Sequence, residues 1–199
     1  MKALVNFLFE VGMLKKTPRA GYQFLGSGRE SVAEHSFRTA VIGYLLSLQE
    51  PGADVHKTTM MCLFHDVHEA RTGDLNYVNK QYVDADEGRA LRDATQGLPF
   101  CDEIVAFVRE FNEQTSLEAC LSRDADQIDL ILALKEQEDL GNKYAREWLS
   151  YAVQRLITES AKALAMEILE TDSTEWWFEK KRSLWVNEPG NRGDVKGCP

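Results

Sequence analysis

The stretch from Ser36 to Gln49 constrains the fold more than any other, because its one charged side chain is Arg38. A helix that is apolar nearly all round belongs at the centre of a domain, not on its surface. Just upstream, Ser31-Val-Ala-Glu34 carries the serine and glutamate of a capping box, the signature of a helix start. The spacing therefore predicts one buried helix from Ser31 to about Gln49, which the remaining elements must cover.

Those elements also read as helices. Leu4, Phe7, Leu8, Val11 and Leu14 recur at helical spacing over about residues 2–14, with no small-residue cleavage site behind them. This pattern predicts a surface-packed helix and not a signal peptide. A basic, glycine-containing loop follows, Lys15 to Arg29, with Arg19 near its middle. Asp54 is placed to cap a helix running to about Thr72, where Gly73 suits a C-terminal cap. A loop from Asp74 to Lys80 leads into a charged helix to Thr95, and another helix spans Pro99 to Glu113. Thr115-Ser-Leu-Glu118 reads as a second capping box, opening a helix to about Asp139. One long amphipathic helix is expected over about residues 143–170, then a short one with Trp176, Trp177 and Phe178. Alternating strand patterns are nearly absent. The expected class is all-α: a single helical domain over residues 1–186 and a flexible Pro- and Gly-containing tail over 187–199.

The formal net charge of −9 argues against binding a nucleic-acid polymer, which needs clustered Lys and Arg. A small phosphorylated substrate remains compatible, since a metal and one or two basic side chains can offset its charge locally. No stretch approaches the roughly 20 apolar residues that span a membrane. Cys62, Cys101, Cys120 and Cys198 form no paired motif, as expected for thiols in a reducing cytoplasm.

Chemistry concentrates on histidines and acids in apolar company. His35 lies in the first turn of the central helix. His65 is followed at once by Asp66, in a helix that Met60, Leu63, Phe64 and Val67 anchor in the core. A charged Asp66 there is expensive unless it is paired or binds a cation. Residues three and four apart share a helix side, so His65, His68, Glu69 and Thr72 should face one way, with Asp66 and Glu69 also neighbours. A mixed imidazole and carboxylate set suits one divalent ion; Mn²⁺, Co²⁺, Fe²⁺, Mg²⁺ and Zn²⁺ are not distinguished by residue type. Such an ion polarises phosphoryl oxygens and acidifies water. A further ligand is expected among Asp124, Asp126 and Asp129, and periodicity slightly favours Asp124. His56 reads as a first-turn surface residue, and His68 as solvent-facing or supporting the site.

With these residues in view, the chain resembles the HD-domain superfamily of metal-dependent phosphohydrolases, and within it the HD-domain 5′-deoxynucleotidase group. The resemblance rests on Leu14-Lys-Lys-Thr-Pro-Arg-Ala-Gly-Tyr22, Glu30-Ser-Val-Ala-Glu-His-Ser36, His65-Asp-Val-His-Glu-Ala-Arg-Thr-Gly-Asp74 and Asp126-Gln-Ile-Asp-Leu-Ile-Leu132, across about residues 14–140. It implies an HD-type helical bundle with additional C-terminal helices. It also implies His35, His65, Asp66 and Asp126 as metal ligands, choosing Asp126 over Asp124. Glu69 and Asp74 then resemble the acid/base carboxylates, Arg19 the phosphate-contacting arginine, and Lys80 the lysine after the Gly-Asp turn. The implied substrate is a small nucleotide monophosphate. Guanosine polyphosphate or cyclic nucleotide hydrolysis, or a silent scaffold domain, are the alternatives. Arg29 and Asn76-Tyr77-Val78 depart from the family pattern at positions expected to border the pocket. The 143–170 helix could close a homodimer or cover the monomer's own core.

Overall fold

The computed structural model describes residues 1–178, so the expected tail over 187–199 lies outside the described residues. Among the described residues all regular structure is helical, apart from one isolated antiparallel bridge between Pro18 and Ser31. The order is α1 (Lys2–Val11) continuing into a 3₁₀ turn (Gly12–Lys15), α2 (Tyr22–Leu25), α3 (Val32–Ser47), α4 (Val55–Phe64) and α5 (Glu69–Thr72). A 3₁₀ turn (Asn79–Gln81) then leads to α6 (Glu87–Thr95), α7 (Cys101–Glu113), α8 (Leu117–Asp139), α9 (Lys143–Val153) and α10 (Glu159–Glu170). No helix among the described residues is long and apolar enough to cross a membrane. Cys62, Cys101 and Cys120 are free thiols.

Helix α3 starts where the capping box places it. Ser31 Oγ accepts the Glu34 N–H at 3.3 Å, and the Ser31 N–H donates back to the Glu34 carboxylate at 2.7 Å. It packs against α4 and α8, and Gly43 permits the close approach of α4, since a Cβ there would run into Cys62 Sγ. The expectation of burial on every side is corrected. Val32, His35, Thr39, Ile42 and Leu46 face inward, but Phe37, Val41, Tyr44, Leu45 and Leu48 are exposed. Two neighbouring helices cover only part of a cylinder, and an apolar side chain is not thereby a buried one.

Three further expectations change. The single helix to Thr72 is two, α4 and α5. Between them Val67, Glu69, Ala70 and Arg71 donate to carbonyls three residues back, a 3₁₀-like tightening just after His65 and Asp66. The second capping box uses Ser116, whose hydroxyl accepts the Ala119 N–H at 3.1 Å, while Glu118 instead accepts the Asp54 N–H at 2.9 Å. The helix over 143–170 is also two, and Asp124 is the reason. Its carboxylate, fully buried on α8, accepts the N–H groups of Ile157 and Thr158, each at 2.7 Å, and the Thr158 hydroxyl at 2.6 Å. Thr158 in turn caps α10. The segment around Trp176 is a turn rather than a helix.

Asp124→Ala should therefore lower stability in urea by about 1–3 kcal/mol, because it removes the partner of two part-buried N–H donors and loosens a helix cap. The folded fraction should bind metal as the wild type does. A loss under 0.5 kcal/mol, of the kind surface substitutions cause, would contradict this role.

Two apolar clusters make the core. One joins Leu46 and Cys62 to Leu121, Ile128, Leu134, Leu149 and Ala165. The other joins Phe7, Val32, Val67, Leu91, Ile104 and Val108. His35 lies between Val32 and Ile42 in sequence, and His65 between Cys62 and Val67, so both imidazoles sit along the seam where the clusters meet.

Candidate metal centre

Helix α3 delivers His35 to that seam, the end of α4 delivers His65 and Asp66, and α8 delivers Asp126. His35 Nε2 lies 3.2 Å from His65 Nε2, 3.3 Å from Asp126 Oδ1 and 3.6 Å from Asp66 Oδ2, and His65 Nε2 lies 3.1 Å from Asp66 Oδ2. Ligands at right angles about a cation with bonds of about 2.0–2.2 Å stand roughly 3 Å apart, so these spacings suit one shared ion.

The outer nitrogens explain why the inner ones face each other. His65 Nδ1 lies 2.7 Å from the Cys62 carbonyl, which can only accept, so Nδ1 carries the proton. His35 Nδ1 lies 2.6 Å from Asp129 Oδ2, which assigns it the same tautomer. Both Nε2 atoms of the neutral rings therefore point lone pairs at each other and at two carboxylates. The ligand atoms of His35, His65 and Asp126 lie within 4.8 Å of one another, and Asp66 Oδ2 lies against both imidazoles. Acceptors brought this close need a cation between them, so the residues fit a divalent metal. Without one, a proton serves instead. Burial and Arg19 push His35 down, but its bonds to Asp126 and Asp129 outweigh them and raise it to about 10. Asp66 and Asp126 stay well below the usual carboxylate range. Burial opposes ionisation, and the positive charge of the histidines and Arg19 overcomes it.

Asp126 is held by its other oxygen, which accepts from Gln127 Nε2 at 3.3 Å and lies 3.7 Å from Arg123 Nη1. Asp124 points away, to the α10 cap, which accounts for its place on the apolar stripe. Arg19 Nη1 lies 3.4 Å from Asp66 Oδ2. Asp74 Oδ2 accepts the Ala20 N–H at 2.7 Å, fixing the loop that carries Arg19. Glu69 is buried, and its Oε2 has no hydrogen-bond partner. Burial first, then the charges of Asp66 and Asp74, push its carboxyl up to about 9.

Arg19, Glu69, Asp74 and Lys80 all line one cavity of about 880 Å³ with His65, Asp66 and Asp126. Lys80 is exposed at its rim. Asn76 and Tyr77 line it too, whereas Arg29 does not. Of the two positions expected for His68, facing solvent is excluded: it is buried, with Nε2 at 3.6 Å from Glu87. His56 is exposed, as expected.

Sequence reasoning did not assign two groups of residues. The first is the support beneath His35. Arg38 Nε donates to Asp129, and Arg38 Nη1 to Glu136 at 2.7 Å. The signal existed, since a lone charge on a buried helix must have a partner. The second is the cavity's far wall, where α9 contributes Trp148, Tyr151 and Arg155 and α2 contributes Phe24. No motif marks these.

Asp129→Asn should weaken Mn²⁺ binding about 10- to 100-fold in calorimetric titration, because a carboxylate behind a ligating histidine fixes its ring and raises its basicity. Unchanged affinity would mean that His35 needs no such support.

The fold and the cluster define a class: a helical protein whose central helices gather two imidazoles and two carboxylates beside one cavity. The HD domain pattern matches residues 11–168, and the chain belongs to the HD domain family. It is 32% identical over 151 residues to the human 5′-deoxynucleotidase HDDC2, covering 73% of each chain. A conserved hypothetical protein from Pyrococcus furiosus, 30% identical, has the same fold, with a TM-score of 0.73 over 84% of this chain and 99% of its own. A predicted metal-dependent phosphohydrolase from Magnetospirillum magnetotacticum shares the fold at 23% identity, with a TM-score of 0.67 over 85% of this chain and 90% of its own.

Proposed function

We propose that this chain is a metal-dependent phosphomonoesterase that releases phosphate from deoxynucleoside 5′-monophosphates. The observation that carries the reading is the convergence of four facing metal-type donors, an unpartnered buried carboxyl at Glu69 and the Arg19 guanidinium on one cavity. The name of the human relative supports the substrate class.

In this reading His35, His65, Asp66 and Asp126 would hold one divalent ion. When bound, it supplies Lewis-acid charge toward a phosphoryl oxygen and acidifies water. The remaining chemistry belongs to the chain. Arg19 neutralises the phosphate through paired hydrogen bonds, and Lys80 adds charge at the rim. Asp74, engaged by Ala20, holds the Arg19 loop in place and keeps one oxygen near the reacting groups. Glu69, whose raised carboxyl holds a proton, gives it to the leaving 5′-oxygen, and the other Asp74 oxygen takes the proton of the attacking water, so that nucleoside and phosphate are the products. The substrate is a small molecule rather than a polymer, and the free thiols suit a cytoplasmic setting.

The test is phosphate release from deoxy- and ribonucleoside monophosphates, guanosine polyphosphates and cyclic nucleotides, each with Mn²⁺, Co²⁺ or Mg²⁺. Preference for deoxynucleoside 5′-monophosphates is expected. Release only from polyphosphates, or from no nucleotide with any ion, would overturn the proposal.

A further inference from the structure

We propose that the indole of Trp148 is the stacking surface for the substrate's nucleobase, making α9 the element that distinguishes nucleotides from shorter phosphate esters. The inference rests on the nucleotidase reading and adds the residue that recognises the nucleoside.

Two kinds of side chain line the cavity. Asp66, Glu69, Asp74, Asp126, His65 and Arg19 form one group, and Phe24, Leu130, Leu134, Trp148, Tyr151 and Ile157 the other. A phosphate ester of a sugar alone has nothing to present to that second group. A nucleobase does, because every base has a π-face that an aromatic side chain can cover.

Trp148 is placed for this by its neighbours. Its Cζ3 stands 4.0 Å from where a Cβ on Gly21 would lie, and Gly21 is two residues from Arg19. One short loop thus links Arg19 to the indole. The Phe24 ring meets the indole tilted at 55°, with centroids 6.4 Å apart, an edge contact that holds the ring. The loop after Asp74 reaches the same wall, where Arg155 Nη1 donates to the Tyr77 hydroxyl at 2.7 Å and its guanidinium lies 5.6 Å from the Tyr77 ring centroid. Trp148 is half-buried, so the indole is anchored on the core beside Ala152 and Leu134 and still lines open space. An indole costs little ordering entropy when it stacks, having only two side-chain torsions.

The experiment uses the Mn²⁺-loaded full chain and compares Trp148→Leu, which keeps an apolar filler, with Trp148→Phe, which keeps a ring. The ratio of kcat/KM for deoxyadenosine monophosphate to that for deoxyribose 5-phosphate should fall about 5- to 150-fold in Trp148→Leu, the range of one lost base stack. Trp148→Phe should recover most of it. Calorimetric affinity for deoxyadenosine should follow the same order. An unchanged ratio in Trp148→Leu, or a Trp148→Phe variant no better than it, would overturn the assignment. Wild-type protein that hydrolyses deoxyadenosine monophosphate no better than deoxyribose 5-phosphate would sink the stacking role and leave the nucleotidase reading intact. Deoxyadenosine binding that depends on Trp148 in a protein without nucleotidase activity would do the reverse.

Discussion

Replacing Asp66 with alanine is expected to abolish metal binding and phosphate release together. Asp66 Oδ2 stands 3.1 Å from His65 Nε2, 3.6 Å from His35 Nε2 and 3.4 Å from Arg19 Nη1, so one oxygen joins both imidazoles and the guanidinium. Its removal takes a full negative charge from a site that must hold a dication, and it takes from Arg19 the carboxylate with which it pairs. If the ion contributes several kcal/mol to the transition state, turnover with Mn²⁺ should fall by roughly 10³-fold or more. Metal content of the purified protein, measured by mass spectrometry, should drop in parallel. Asp66 belongs to neither apolar cluster, so the variant should fold, and a retained helical circular-dichroism spectrum would check that. A folded Asp66→Ala protein with full metal and full turnover would end the metallohydrolase reading.

How much of this was legible depends on the range over which each residue acts. The capping box at Ser31 and Glu34 works across three positions, and the sequence locates it without error. His65 and Asp66 stood out because an acid on a core helix needs a partner. The choice between Asp124 and Asp126 was not legible locally. Both lie on a helix with apolar neighbours on all sides, and what separates them is a turn more than 30 residues away that Asp124 caps. The same contact breaks the long helix that amphipathic periodicity predicts over 143–170, since a period carries no information about where a distant carboxylate interrupts it. The exposed face of α3 escaped for a related reason: hydrophobicity says what could be buried, not what covers it. Trp148 is a tryptophan on an amphipathic helix until α2 and α8 are placed beside it.

Replacing Glu69 with glutamine should separate chemistry from metal binding, which Asp66→Ala cannot do. Glu69 lines the cavity but is not among the four facing donors, so Glu69→Gln should keep its metal. Loss of the proton-transfer group should lower kcat by about 10²- to 10⁴-fold, with a smaller change in KM. The metal-stripped proteins offer an independent check. Burial and the charges of Asp66 and Asp74 raise the Glu69 carboxyl from 4.5 to about 9, so between those values the folded protein holds a proton that the unfolded chain has lost. Stability then falls as pH rises through that window, because the unfolded state binds fewer protons. Glutamine resembles the protonated carboxyl in shape and charge and cannot titrate. Metal-free wild type should therefore lose stability in urea from pH 5 to pH 9 relative to Glu69→Gln, with the two nearly equal at pH 5. A Glu69→Gln enzyme with wild-type kcat would remove Glu69 from the chemistry and leave Asp74 as the remaining carboxylate for the proton. Loss of metal with turnover would instead make Glu69 a ligand.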